Sequence, residues 1–106
     1  MAKRNKKLKI SCPFEAAMDI IGSKWKGAIL MQLMKGTKRY SELKQTIPAI
    51  SPRMLTQQLR QLEHDQLISR KIYPQVPPKV EYSLTKIGKN LEPIFMQLRQ
   101  WGKQLV

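Results

Sequence analysis

The chain has 106 residues, 42% of them hydrophobic, and carries 20 Lys+Arg against 7 Asp+Glu, a formal charge of +13. That length suits one small domain with one core, and the apolar share excludes a wholly disordered polycation. Self-repulsion on this scale weakens a compact monomer, so the charge points to a polyanionic partner or a membrane surface.

Residues 1–11 form a basic arm, MAKRNKKLKIS. It is either a solvated tail or a source of extra phosphate contacts. No apolar stretch follows it to make a secretory signal, and no run approaches the ~20 residues of a membrane span. A lone cysteine, Cys12, excludes an internal disulfide. A cytoplasmic, nucleoid-associated location is expected.

Residues 12–106 are expected to form the folded unit. Cys12-Pro13 suits an N-cap and first helical position, with a short helix over Phe14–Ile21. Gly22-Ser23 breaks it, and Ser23 caps a helix over Lys24–Lys35 that Gly36 ends. Ala28, Ile29, Leu30, Met31, Leu33 and Met34 leave that helix little polar face, which predicts burial against several neighbours. Tyr40, Leu43 and Ile47 then mark a short helix over Arg39–Thr46, with Glu42 near its start. Pro48-Ala49-Ile50 is a turn. Ser51-Pro52 caps and starts the next helix, which Asp65-Gln66 ends. Two short helices joined by a tight turn make a helix-turn-helix.

Beyond it the period changes from helical to alternating. Ile68–Tyr73 and Lys79–Leu84 read as strands, with Val80, Tyr82 and Leu84 on one face. PQVPP at 74–78 connects them, and its prolines deny regular pairing. A hairpin in this place is the wing of a winged helix. Thr85 caps a last helix with Ile87, Leu91, Ile94, Leu98 and Trp101 in a stripe, and Pro93 should kink or split it. The fold class is therefore mainly α with a small β-hairpin: a winged helix-turn-helix with extra helices at both ends. Two additional apolar helices exceed the needs of one small core, which predicts an isologous dimer interface.

On a helical wheel at ~100° per residue, Leu55, Leu59 and Leu62 share one side of the second helix. Arg53, Gln57, Arg60 and His64 cluster opposite them, Thr56 borders that cluster, and Glu63 and Asp65 fall to the flanks. The outward face has guanidinium, amide and hydroxyl groups and no acid, chemistry that matches base edges and phosphates. Arg53 is misplaced for the helix dipole, at a cost of a few tenths of a kcal/mol. A good base contact is worth ~1–3 kcal/mol, which outweighs that cost if the helix N-terminus leads into a groove.

At this point the sequence resembles the HxlR-type winged-helix transcriptional regulators. The resembling pieces are CPFEAAMDIIGSKWKGAIL, KRYSELKQTIPAIS, RMLTQQLRQLEHDQLISR and YPQVPPKVEYSLTKIGKNL, which span most of residues 12–101. The ordered pair MLTQQLR and VPPKVEYSLT is the specific part. The resemblance implies a bacterial homodimer, held by its terminal helices, on a pseudo-palindromic operator. It places groove-facing residues in Ser51–Arg60 and the wing tip at Gln75–Lys79. One departure concerns the end of the recognition helix, where the family has glycine and this chain has Gln66. A left-handed cap would cost glutamine roughly 1 kcal/mol there, so the helix either ends differently or that cost is absorbed.

The expected site is accordingly Arg53, Thr56, Gln57 and Arg60 in the major groove, with Ser51 at its head, Tyr40 and Ser41 beside a phosphate, and Lys79 of the wing on the backbone or minor groove. The partner is double-stranded DNA. The rival reading is a nonspecific, architectural nucleic-acid-binding protein, which uses the charge without the base-facing groups. Cys12 has two readings: a small packed residue, or a sensor of oxidants or electrophiles. Helix N-termini favour reactive thiols in general, and several proteins that the sequence resembles use a Cys-Pro cysteine near this point. Trp25, Trp101 and the methionines belong to core or dimer contacts, and a Met-rich interface can also enclose a small-molecule effector. One histidine and one distant cysteine make no metal site. No nucleophile triad, carboxylate pair or glycine-rich phosphate loop is present, so neither a cofactor nor catalysis is expected.

Overall fold

In the computed structural model, which describes residues 12–106, Pro13 opens α1 (Pro13–Ile21) with Cys12 as its extended N-cap residue. The basic arm expected over 1–11 lies outside the described residues. Ser23 caps α2 (Lys24–Met34) by accepting the Lys26 N–H at 3.4 Å. Lys35 is the C-cap, and Gly36 leaves the helix at φ +140°, a conformation that a Cβ disfavours.

The chain then forms β1 (Lys38–Arg39), a two-residue strand absent from the sequence expectation. It leads directly into α3 (Tyr40–Thr46), where the Glu42 carboxylate accepts the Arg39 N–H at 2.8 Å. This satisfies one of the free donors at the helix start. Ser51 caps α4 (Pro52–His64) by accepting the Met54 N–H at 3.1 Å. The wing is β2 (Ile68–Tyr73) and β3 (Lys79–Leu84), and its two strands match their expected bounds. Pro93 splits the last segment into α5 (Lys86–Lys89) and α6 (Glu92–Gly102), because its missing N–H is harmless only in a first turn.

The sheet is antiparallel in the order β1-β3-β2, so β3 lies at its centre. Tyr73 pairs with Lys79 at the wing stem and Ile68 with Leu84 at the base. Lys38 and Arg39 pair with Tyr82 and Glu81, tying the start of α3 to the sheet. The core gathers Ile29, Leu30 and Leu33 of α2, Leu43 of α3, Leu55, Leu59 and Leu62 of α4, and Ile68 and Tyr82 of the sheet. It fixes α4 by its leucine face and leaves the opposite side to solvent.

Burial of α2 is less complete than its composition predicts. Lys26 is buried, whereas Met31 remains 50% exposed, because a chain this small has too few elements to cover a helix all round. The terminal helices go further. None of α6 is buried, Phe14 is 71% exposed and Trp101 57% exposed, with Met18, Ile94, Leu98 and Leu105 also open.

The junction of α4 with the wing resolves the Gln66 question. Gln66 adopts the left-handed conformation, φ +62°. The Leu67 N–H reaches the Leu62 carbonyl at 3.0 Å and the Gln66 N–H reaches that of Glu63 at 3.0 Å. Those two bonds are a Schellman cap, with Leu62 and Leu67 both in the core. The backbone conformation there is held from outside the helix: the Thr85 hydroxyl donates to the Gln66 carbonyl at 2.7 Å, and the Thr85 N–H to that of Leu67 at 3.1 Å.

Candidate nucleic-acid interface

The exposed side of α4 presents Arg53, Gln57 and Arg60, with Thr56 half-buried at its edge. Together with Pro52 and Gln61 they line one open depression on the surface. No acidic residue lies in the first turn of α4. Glu63 turns aside to Arg70 of β2, 3.5 Å away, so its charge faces the wing rather than the depression. The hydrophobic side of the same helix is fully buried at Leu55 and Leu62, which fixes the rotation that turns the polar groups outward.

The remaining expected residues are placed less uniformly. Ser51 uses its hydroxyl oxygen as the α4 cap. Ser41 is exposed in the first turn of α3. Tyr40 is half-buried, and its hydroxyl donates to the Pro52 carbonyl at 3.1 Å. It thereby fixes the first turn of α4 from α3. Lys44 donates to the Pro48 carbonyl at 3.3 Å and braces the turn between the two helices. His64 is exposed at the end of α4.

Lys79 stands at the wing stem, not its tip. Its Nζ lies 3.4 Å from Glu81 Oε2 and 4.6 Å from the centre of the Tyr73 ring. The tip itself, 74–78, has no cation, and Val76 is 99% exposed there. Glu81 is held below the ordinary carboxylate range, first by the hydrogen bond from Tyr73 and then by Lys79 and Arg39, against some desolvation. Burial pushes the Tyr82 phenol above its ordinary range.

Sequence reasoning missed the pairing roles of Arg39, Lys71, Tyr73 and Glu81. The alternation of 79–84 contains part of the signal, since it separates Glu81 from Val80 and Tyr82. The rest needs the register of β1 and β2 on β3. Cys12 is exposed at the start of α1, beside exposed Phe14.

A helix-turn-helix with a wing, a buried leucine face and an acid-free outer face on its second helix matches a known family. The family model for the HxlR-like helix-turn-helix matches residues 20–106. The chain belongs to the HxlR-like helix-turn-helix family. It is thus a DNA-binding transcriptional regulator of helix-turn-helix type, in a family of regulators rather than enzymes. The uncharacterized HTH-type transcriptional regulator YkvN of Bacillus subtilis (strain 168) is 57% identical over 94 residues, covering 89% of this chain and 80% of that protein. Among solved structures, the redox regulator HypR in its oxidized form is 50% identical, with a TM-score of 0.80, covering 88% of this chain and 96% of that one. The reduced form of the transcriptional regulator YodB from B. subtilis is 38% identical, with a TM-score of 0.81, covering 90% and 94%. YodB has also been solved diamide-treated and quinone-bound. Among the described residues of this HxlR-like chain, no helix is long and apolar enough to cross a membrane.

Proposed function

We propose that the chain binds a two-fold-symmetric operator as a homodimer, inserting α4 of each protomer into successive major grooves. The observation that carries this reading is the open, acid-free face formed by Arg53, Thr56, Gln57 and Arg60. Guanidinium and amide groups at those positions match the acceptor and donor edges of guanine and adenine. Tyr40 holds the α4 N-terminus at a fixed angle, Ser51 caps it, and Ser41 adds a phosphate contact. The wing flanks the groove, with Lys79 near the backbone. The dimer is supported by the apolar surface of α1 and α6, where Phe14, Ile94, Leu98 and Trp101 are left open. Two-fold pairing sets half-sites about 34–36 Å apart, or a multiple.

A redox- or electrophile-responsive mode is favoured by the exposure of Cys12 at the start of α1. The relatives HypR, a redox regulator, and YodB, solved diamide-treated and quinone-bound, support the same reading. With no second cysteine in the chain, oxidation gives an interchain disulfide, a mixed disulfide or an adduct, each beside the proposed dimer surface.

Selection of bound duplexes from a random pool, with and without diamide, tests both parts. The expected result is an enriched inverted repeat whose recovery changes with diamide in wild type but not in Cys12→Ser. Equal recovery of all duplexes would show a nonspecific, architectural binder instead.

A further inference from the structure

The outer face of the sheet carries charge in an arrangement that the α4 reading does not use. On the central strand, Glu81 is paired with Arg39 of β1 on one side and Lys71 of β2 on the other. Alternation puts these three on the face opposite buried Tyr82. Lys79 reaches along the same strand to within 3.4 Å of Glu81 Oε2. The Tyr73 hydroxyl donates to Glu81 Oε1 at 2.9 Å. Its ring lies 4.6 Å from Lys79 Nζ and 4.9 Å from Lys71 Nζ. The ring thus engages both lysines of the wing stem, and the carboxylate engages Lys79.

The geometry points to Glu81 as an internal counter-ion that withholds Lys79 from phosphate, and so sets how far specific binding of duplex DNA exceeds nonspecific binding. The inference rests on the duplex-binding reading above. Nonspecific affinity follows the number of phosphates that the protein's cations neutralise, through release of DNA counter-ions. A lysine already matched by a carboxylate releases fewer of them. The pair is half-buried, its side chains 27% and 23% accessible, so a phosphate must be held close by a docked α4 before it displaces the carboxylate. A loosely held, sliding duplex does so less. Glu81 is a positioning residue in this scheme: it acts through Lys79 and touches no base.

Fluorescence anisotropy of the full chain on a short duplex of arbitrary sequence, across about 50–200 mM salt, tests the inference. Glu81→Gln removes the charge and keeps an acceptor for Tyr73. Nonspecific binding should tighten up to about tenfold, and the slope of log K against log salt should steepen by about 0.9 per protomer. Adding Lys79→Met to the same chain should return the slope to its wild-type value. Circular dichroism checks folding, and Glu81→Thr, with a strand-favouring residue, replaces Glu81→Gln if the latter does not fold. A folded variant with an unchanged slope overturns the proposal, as does a steepening that survives Lys79→Met. A wild-type chain that binds no duplex refutes the duplex-binding reading and this inference with it. Wild-type binding with an unchanged variant slope refutes this inference alone.

Discussion

The hydroxyl of Thr85 donates to the carbonyl of Gln66 at 2.7 Å, across 19 residues of sequence. The same oxygen accepts the Gly88 N–H at 3.1 Å and so caps α5. One side chain therefore closes the end of α4, the base of the wing and the start of the C-terminal helices. Thr85→Ala removes a cap and leaves a carbonyl without its donor. The expected loss is about 1–2 kcal/mol in urea unfolding, with Thr85→Ser recovering most of it.

Gln66→Gly should stabilise the protein. Glycine has no Cβ to strain at φ +62°, although its flexible unfolded state offsets part of the gain. The expected net effect is about 0.5–1 kcal/mol, read as a shift of the urea midpoint at constant slope. A lower midpoint would mean that the glutamine side chain contributes more than its conformation costs.

Gly88→Ala should destabilise despite the higher helix propensity of alanine. A methyl there would overlap the backbone carbonyl oxygen of Leu67, which the Thr85 contacts hold in place. Overpacking against backbone costs about 1–3 kcal/mol, measurable as a lower melting temperature. The same substitution at Gly102, which has open space around it, is the control.

Arg53→Ala should cost ~1–3 kcal/mol on the selected operator and relax preference at one base position per half-site. Its melting temperature should stay near that of wild type, since Arg53 is exposed. A uniform loss on all duplexes would instead make Arg53 a phosphate contact.

The wing should loosen in acid. Glu81 sits below its ordinary value of 4.5, chiefly through the Tyr73 hydrogen bond, with Lys79 and Arg39 adding to it. Lys71 stands directly across from it on β2. A carboxylate lowered in the folded state contributes its stability above the unfolded value, and that contribution is lost as pH falls through the lower folded value. The Glu81 carboxylate resonance should therefore titrate below 4.5 in wild type. Tyr73→Phe should move it upward. An unmoved midpoint in that variant would assign the effect to Lys79 and Arg39 instead.

Much of this protein is written in local signals. Ser23, Ser51 and Thr85 act as caps in the structure as their residue types demand, because a short hydroxyl beside a helix start needs only neighbouring N–H groups. Pro93 divides the last helix for an equally local reason. The leucine spacing of α4 determines which side is buried and leaves Arg53, Gln57 and Arg60 outside, since helical period alone relates those positions.

What the tertiary structure decided is whatever depends on two distant segments meeting. A strand of two residues such as β1 has no periodicity to reveal it, and exists because Lys38 and Arg39 find Tyr82 and Glu81. Tyr40 stands among the phosphate-facing candidates by sequence, yet its hydroxyl partner is the Pro52 carbonyl, a pairing set by how α3 packs on α4. Lys79 likewise depends on register, which places Tyr73 opposite it across the hairpin. The bond that pins the Gln66 backbone comes from Thr85, and its physical reason is the closure of a long loop by core packing, which no local pattern encodes.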